Sequence, residues 1–424
     1  MLYSLYELNR AAVSPLHAAA EAQSLLLRLP FNPLGMTPLG RTAAAAQEVL
    51  ASVTRRYRKP AWGITETEIG GELVAVRPRP VWSDTWCTLL HFQRDPKTMQ
   101  RLHPKPQPRV LIAAPMSGHY ATLLRGTVEA FLPDHEVYIT DWTDARMVPI
   151  VLGRFDLHGY IDYIRAMLRF IGPGAHTVAV CQPGPPVLAA IALMSEDGDP
   201  SLPASMAFMG SPIDARCSPT VPNKLAEQRE LRWFRENMVH PVPPIYPGAF
   251  RQVYPGFLQL ASFMGMNLDR HVDAHWDYFR HLTDGDGENA GKHREFYDEY
   301  LAVMDLTEEF YVQTIRDVFQ EYRLARGVLE HRGQRVRPDL IRDVALMTVE
   351  GEKDDISGIG QTQAAHDLCR NIPESRRIDY IQPGVGHYGV FNGRRFRTEI
   401  YPRMRDFITE FGAEHGARPS RDAA

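Results

Sequence analysis

The strongest constraint on the fold lies where an apolar strand meets a turn rich in proline. The residues His176–Val180 have the pattern of a buried strand, and Gln182–Pro186 follow after a single cysteine, Cys181. Proline is tolerated in the first turn of a helix, because the N–H groups there have no partner within the helix. The pattern therefore predicts a strand, a sharp turn at Cys181 and then a helix.

A strand–turn–helix of this kind can carry a nucleophile. Such an elbow lifts its central side chain above the sheet and needs small residues two positions to either side, here Ala179 and Pro183. The following residue, Gln182, keeps the backbone N–H that an oxyanion hole requires. Cys181 is therefore a candidate nucleophile. The alternative is a buried structural cysteine, since free cysteine is among the most buried residue types.

Composition is that of a globular chain. Its 424 residues are 44% hydrophobic and 23% charged, which is enough for a large core. The formal net charge is −4, and no basic run is interleaved with aromatic residues, so a nucleic-acid partner is not expected. The four cysteines lie far apart without a C-x-x-C motif. Neither a disulfide framework nor a zinc site is predicted, and reduced thiols in a cytosolic setting fit best.

The first 29 residues are apolar at helical spacing but carry four charges, Glu7, Arg10, Glu21 and Arg28. These charges and the lack of a basic leading region argue against a signal peptide. A membrane span is also not expected, because it needs about 20 predominantly apolar residues. Two interpretations stay open: a helix packed on the protein's own core, or an amphipathic surface that contacts a hydrophobic particle.

Short β-rich runs alternate with helical stretches from about residue 80 onward. This alternation predicts an α/β fold with a mostly parallel sheet flanked by helices. The predicted strands are 109–114, 136–142, 176–181, 205–210, 344–351 and 377–382. The predicted helices are 121–131, 157–170, 187–194 and 360–369.

The middle of the chain breaks this alternation, because residues 211–335 show no convincing strand but many aromatic residues and methionines. An insertion at this place predicts a largely helical cap over the active-site edge of the sheet, inserted before the strand that leads to the acid. An ordinary helical layer is the alternative. The predicted division is an N-terminal helical segment and lead-in at 1–80, a core at 81–210 and 336–412, the cap at 211–335 and a frayed tail at 413–424.

A nucleophilic thiol needs a base and a group that orients the base. Asp354 and Asp355 follow the predicted strand 344–351, and His387 lies between glycines after the last strand. The carboxyl ends of parallel strands are where open α/β sheets place their sites. The order cysteine, acid, histidine is that of α/β-hydrolases, although spacing alone does not choose between the two aspartates.

The second oxyanion donor is expected on the loop that follows strand 109–114. We favour the backbone N–H of Ser117, with Met116 as the alternative. His119, on the same loop, is a candidate substrate contact or a cap of the turn. Elsewhere, His271 and His275 are four residues apart, but no third ligand is evident, so no metal site is predicted there.

With these residues assembled, the chain resembles the intracellular poly(3-hydroxybutyrate) depolymerases, from its opening residues to about Phe411. The blocks that carry the resemblance are Ser117-Gly118-His119, Ala121 to Arg125, Tyr138 to Trp142, Val180-Cys181-Gln182-Pro183, Gly351 to Gly358 and Gly386 to Gly389. The resemblance implies an α/β-hydrolase fold and a triad of Cys181, Asp354 and His387, which decides between the two aspartates. It also implies a cytoplasmic enzyme on storage granules that needs no cofactor or metal.

The implied reaction is hydrolysis of amorphous poly(3-hydroxybutyrate) to 3-hydroxybutyrate monomers and oligomers through an acyl-thioester on Cys181. Three alternatives stay open: a polyhydroxyalkanoate synthase-like acyltransferase, a depolymerase that uses coenzyme A for thiolysis, and a granule-coat protein without activity. The synthases normally carry glycine two residues to either side of the cysteine, where this chain has Ala179 and Pro183. The expected partner is the polymer or granule surface, and a homo-oligomer is left open.

Overall fold

The fold is organised around one large sheet, as seen in a computed structural model that describes residues 2–266 and 268–416. In this part of the chain, nine strands form the sheet in the order β1-β2-β3-β5-β4-β6-β7-β13-β14. The strands of this sheet are β1 (Glu66–Ile69), β2 (Glu72–Asp84), β3 (Cys87–Arg94), β4 (Arg109–Ala113), β5 (Glu136–Trp142), β6 (His176–Val180), β7 (Ser205–Met209), β13 (Ala345–Gly351) and β14 (Arg377–Gln382).

The six strands from β5 to β14 run parallel, and β1 to β3 add an antiparallel extension. β6 is buried along its whole length, as expected for a strand covered on both faces. Its side chains alternate between two hydrophobic clusters. Ala179 lies in the cluster that contains the helices Leu157–Ile171 and Gly184–Glu196. Val178 lies in the cluster that contains the helices Arg125–Phe131 and Tyr401–Gly416. The predicted fold class is confirmed.

Helices flank this sheet and build most of the remaining structure. They are α1 (Leu2–Arg28), α2 (Pro38–Thr54), α3 (Pro96–Leu102), α4 (Arg125–Phe131), α5 (Leu157–Ile171), α6 (Gly184–Glu196), α7 (Val221–Gln228), α8 (Leu231–Met238), α9 (Gly256–Met266), α10 (Leu268–Asp284), α11 (Gly287–Tyr300), α12 (Glu308–Thr314), α13 (Ala365–Leu368), α14 (Gly393–Arg395) and α15 (Tyr401–Gly416). Two π-helical segments follow α12 and α14, at Ile315–Gln320 and Phe396–Ile400. None of the helices described is long and apolar enough to cross a membrane.

The sheet begins earlier than the sequence predicted. The expected lead-in at 1–80 contains β1 and most of β2, so the boundary at residue 80 falls inside a strand. Pro78 and Pro80 obscured β2, because proline cannot donate to a sheet ladder. Both prolines lie beyond the four residues of β2 that pair with β1, where β2 has a partner on one side only.

The middle of the chain is mainly helical but contains small strands that the sequence did not indicate. β8 (His240–Pro241), β9 (Gln252–Tyr254) and β10 (Leu306–Thr307) form an antiparallel sheet, and β11 (Glu330–His331) pairs with β12 (Gln334–Arg335). Strands of two or three residues are too short to show an alternating pattern.

Two helical predictions also needed correction. The predicted helix 360–369 is α-helical only in α13, and turns occupy the residues before it. At the C-terminus, α15 continues to Gly416, so the first residues of the predicted frayed tail are helical, and residues 417–424 lie outside the described part of the chain.

Candidate active site

Cys181 stands on a strained turn between β6 and α6. Its φ angle is 67°, a left-handed conformation that non-glycine residues adopt rarely and that commonly marks functional sites. The Cys181 N–H donates to Met209 O at 2.7 Å, which fixes the turn against the end of β7. The side chain is partly exposed and lines a cavity.

At this elbow the backbone comes closest to a neighbouring segment at Gly184, one position after Pro183. A Cβ atom on Gly184 would lie 2.4 Å from the Cβ of Ser211, so only glycine fits without movement of the backbone. The sequence pattern predicts small residues at Ala179 and Pro183 and does not indicate this position. Contact with a residue on the loop after β7 leaves no signal in the local pattern.

Asp354 follows β13 and is held rigidly beside His387. Its Oδ1 accepts hydrogen bonds from the N–H groups of Ile356 at 2.9 Å and Ser357 at 2.8 Å, and its Oδ2 lies 2.8 Å from His387 Nδ1. The Asp354 side chain is fully buried, whereas Asp355 is exposed. The structure thus brings Asp354, and not Asp355, against the histidine.

His387 begins a helical turn after β14 and is 5% exposed. Burial alone would lower its pKa, but the negative charges of Asp354 and Cys181 and hydrogen bonds to both side chains outweigh it and raise the pKa well above the ordinary value. Because Nδ1 faces Asp354, Nε2 is the nitrogen left for the thiol. In this arrangement Asp354 holds the ring through Nδ1, and Nε2 can accept a proton from the thiol.

Gly210, at the end of β7, makes room for this pair. It has a φ angle of 54°, and a Cβ atom there would lie 3.2 Å from His387 Cε1 and 3.3 Å from Asp354 Oδ2. A side chain at this position would be strained and would press on the pair. Sequence reasoning missed Gly210, because the contact joins the ends of three separate strands.

The loop after β4 carries the predicted oxyanion donors. The Met116 N–H donates to Gln182 Oε1 at 3.1 Å, so this N–H already has an acceptor. Ser117 is partly exposed between buried neighbours, and in the described structure its N–H makes no protein hydrogen bond. Met116, Ser117 and Gln182 all line the cavity that contains Cys181.

His119 lies at the same cavity but is in contact with the segment 211–335. Its ring is 2% exposed, and Nε2 lies 3.0 Å from Tyr300 O. Burial lowers the pKa of His119 to about 4, so the ring is neutral. The ring also contacts Phe263 and Tyr300, so His119 joins the loop after β4 to the middle segment.

The cavity above Cys181 has a volume of about 510 Å³, within the range typical of small-molecule sites. Core loops supply one wall and the segment 211–335 supplies the other. Apart from the candidate site residues, most of the lining is apolar or aromatic: Leu123, Leu225, Phe234, Met238, Tyr254, Phe263, Phe310, Tyr311, Ile315, Phe319, Tyr388 and Phe391. Such a surface suits an apolar ligand.

The other histidines noted in the sequence have ordinary partners. His271 Nδ1 lies 2.8 Å from Tyr297 Oη, and His275 Nδ1 lies 2.9 Å from His271 O in the same helix. No group of three or more metal-ligating side chains is found among the described residues.

Comparison with protein families finds one match, in the second half of the chain. Residues 210–412, just under half of the chain, match the family described as "PHB de-polymerase C-terminus". The match supports a PHB depolymerase-type α/β-hydrolase. The matched range contains Asp354 and His387 but not Cys181. The match supports a carboxylic ester hydrolase.

Solved structures with the same general fold are distant. A monoacylglycerol lipase from Paleococcus ferrophilus is 10% identical, with a TM-score of 0.41 over 72% of this chain and 96% of that chain. A monoglyceride lipase from Saccharomyces cerevisiae is 10% identical, with a TM-score of 0.44 over 81% of this chain and 97% of that chain. An esterase from Thermogutta terrifontis is 12% identical, with a TM-score of 0.42 over 82% of this chain and 98% of that chain. No curated protein sequence matches the chain.

Proposed function

We propose that this chain is a cytoplasmic depolymerase that hydrolyses the ester bonds of poly(3-hydroxybutyrate) through Cys181, His387 and Asp354. The observation that carries the proposal is the buried Asp354–His387 pair beside a cysteine on a left-handed turn, under an apolar cavity. The match to PHB depolymerases supports the polymer as substrate.

In the first half of the reaction, His387 takes the thiol proton, and the Cys181 thiolate attacks the carbonyl carbon of an ester in the polymer. The helix that starts after Cys181 favours negative charge at its N-terminus. The oxyanion accepts hydrogen bonds from two backbone N–H groups, each worth about 3 kcal/mol in sites of this kind. The tetrahedral species collapses, the ester C–O bond breaks, and His387 protonates the leaving 3-hydroxyl oxygen.

In the second half, water hydrolyses the 3-hydroxybutyryl thioester on Cys181. His387 removes a proton from water as the oxygen attacks the thioester carbonyl, and the C–S bond breaks. The products are the free carboxylic acid and the regenerated cysteine. Each catalytic cycle consumes one water molecule per ester bond.

The apolar, aromatic cavity gives this reaction its substrate class. A polyester of 3-hydroxybutyrate is uncharged along its length, so its transfer into the lining loses little hydration and gains the burial of methyl and methylene groups.

The decisive experiment is intact-protein mass spectrometry after a short exposure to amorphous poly(3-hydroxybutyrate) or a hydroxybutyrate trimer. We expect a 3-hydroxybutyryl adduct on Cys181 and release of free 3-hydroxybutyrate without coenzyme A. The Cys181→Ala variant should show neither. Degradation of the polymer by this variant would refute the proposed nucleophile, and a product that appears only with coenzyme A would indicate thiolysis instead.

Association with the granule surface is the second part of the proposal. One face of α1 presents an apolar stripe that no part of the described structure covers, with Leu5, Leu8, Leu16 and Leu26 all at least half exposed. At 100° per residue these four side chains lie within about 80° of each other around the helix axis. A stripe of this kind on a surface helix is suited to an apolar, water-facing surface such as the polymer.

A further inference from the structure

The side chain of Gln182 makes a contact that the proposed chemistry does not by itself require. Gln182 is 9% exposed, and its Oε1 accepts the hydrogen bond from the Met116 N–H across the mouth of the elbow. The orientation of the carboxamide follows from this partner, because an N–H group needs an acceptor. The other carboxamide atom, Nε2, is buried and has no hydrogen-bond partner in the described structure.

An unpartnered buried donor destabilises a folded protein. An apolar side chain of similar length at position 182 would remove this unfavourable group but would leave the buried Met116 N–H without its acceptor. The two effects on stability oppose each other, so the feature that distinguishes glutamine here is the Oε1 contact to the loop.

The same loop is held from its other side by the middle segment of the chain. The Met304 N–H donates to Gly118 O at 2.7 Å. Gly118 has a φ angle of 105°, and a Cβ atom there would lie 2.9 Å from Gln259 Oε1. Ser117 thus lies between two fixed points, one set by Gln182 and the other by Met304 and Gln259.

We infer that the Gln182 side chain is the positioning residue of the oxyanion hole. It occupies the Met116 N–H and fixes the loop, so that the Ser117 N–H and the backbone N–H of Gln182 are the two donors that face the oxyanion. The inference rests on the proposed function, because it assigns a role within the same acyl transfer. It also resolves which of Met116 and Ser117 is the second donor.

The test replaces Gln182 with methionine, which has similar length but cannot accept the Met116 hydrogen bond. We expect Gln182→Met to fold with a melting temperature close to that of the unaltered protein, because loss of the unpartnered Nε2 offsets loss of the Met116 hydrogen bond. On a soluble hydroxybutyrate oligomer, kcat should fall about 10- to 100-fold, since displaced donors cost rate in the transition state, while KM changes little. A fall in kcat with a rise in KM by a similar factor would overturn the inference, because that pattern indicates a structural role.

A ligand comparison separates this inference from the proposed function. A trifluoromethyl ketone analogue of the oligomer adds to the thiol and forms an oxyanion, whereas an ether analogue occupies the cavity without reaction. Gln182→Met should weaken the ketone by about the same factor as kcat/KM and leave the ether unchanged. Equal weakening of both ligands would contradict the inference. If the unaltered protein forms no Cys181 adduct with the ketone, it is the proposed nucleophile that fails.

Gln182→Glu provides an independent variant of the same shape. Its carboxylate can still accept from Met116 but places a negative charge beside the developing oxyanion. We expect the ratio of its kcat to that of the unaltered protein to fall as pH rises through the titration of the carboxyl group. A ratio that does not change with pH would overturn the placement of Gln182 beside the oxyanion.

Discussion

At the scale of single residues, the site depends on a histidine that is buried and yet favours its charged form. Burial opposes the charge on His387, and the adjacent Asp354 and Cys181 more than compensate, which raises the pKa of His387. Asp354 can do this because two backbone N–H groups hold its carboxylate in place. The acid therefore sets both the orientation and the charge of the base.

This arrangement predicts the pH dependence of catalysis. In the proposed reaction His387 must carry a proton to the leaving oxygen, so kcat/KM should stay high well above pH 6.5 and fall only when His387 loses its proton. Asp354→Asn removes the attractive charge and lowers the pKa of His387. The alkaline limb should then move to lower pH, and kcat should fall by on the order of 10³-fold or more. The measurement is kcat/KM against pH on a soluble oligomer.

The matched control is Asp355→Asn, which removes an adjacent exposed carboxylate. We expect its profile to keep the position of the alkaline limb. An equal displacement of the limb by both variants would show that general electrostatics, and not the Asp354 contact, raises the pKa of His387.

At the scale of elements, the N-terminal helix α1 is tied to the middle of the chain through a buried polar contact. Tyr3, 1% exposed, donates from its hydroxyl to Asp305 Oδ2 at 2.6 Å, and Asp305 Oδ1 accepts from the Gly256 N–H at 2.9 Å. Burial and the nearby Asp144 raise the pKa of Asp305 to about 7, although Arg146 opposes the shift. The carboxyl group depends on these donors, because it has no access to water.

Removal of one donor should destabilise the fold. Tyr3→Phe leaves the ring in place but takes the hydroxyl from Asp305, and we expect the free energy of unfolding to fall by about 1.5–3 kcal/mol. The measurement is urea unfolding followed by tryptophan fluorescence. Tyr6→Phe is the matched control, since Tyr6 stacks on Phe257 and its hydroxyl makes no hydrogen bond in the described structure. Similar losses for both variants would contradict a specific role for the Tyr3–Asp305 contact.

Elements also show what the sequence could predict. The parallel strands were found because strands covered on both faces are continuous apolar runs, as in β6. β2 was missed because its prolines lie on a stretch with a partner on one side only, which depends on how far β1 extends. The candidate site residues were found because chain order places them at successive strand ends. Gly210 and the Gln182 side chain were not found, because their roles depend on contacts between distant segments.

At the scale of the whole molecule, the cavity and the apolar stripe of α1 are separate features that a granule enzyme needs together. In the proposed function the cavity holds a short length of the polymer. Because the polymer is insoluble, the protein must also stay bound at its surface. Tyr3 and Glu7 are buried on the inner side of α1, and the leucine stripe faces outward. Deletion of α1 would remove its buried contacts and its leucine stripe together. The role of the stripe in granule binding must therefore be tested by substitution.

We therefore predict that Leu5→Ser, Leu8→Ser, Leu16→Ser and Leu26→Ser together lower co-sedimentation with amorphous granules at least tenfold. Full burial of one leucine side chain at the polymer surface contributes about 1.5 kcal/mol or more. Even partial burial of four leucines would therefore contribute more free energy than a tenfold change in binding requires. Hydrolysis of a soluble trimer should stay within twofold, because the cavity residues are untouched. Leu73→Ser, at an exposed leucine of β2, is the control for a general loss of surface apolarity and should leave granule binding unchanged. Granule binding that survives the fourfold change would place the docking surface elsewhere, and a parallel loss of trimer hydrolysis would show that α1 supports the active site and not the contact with the granule.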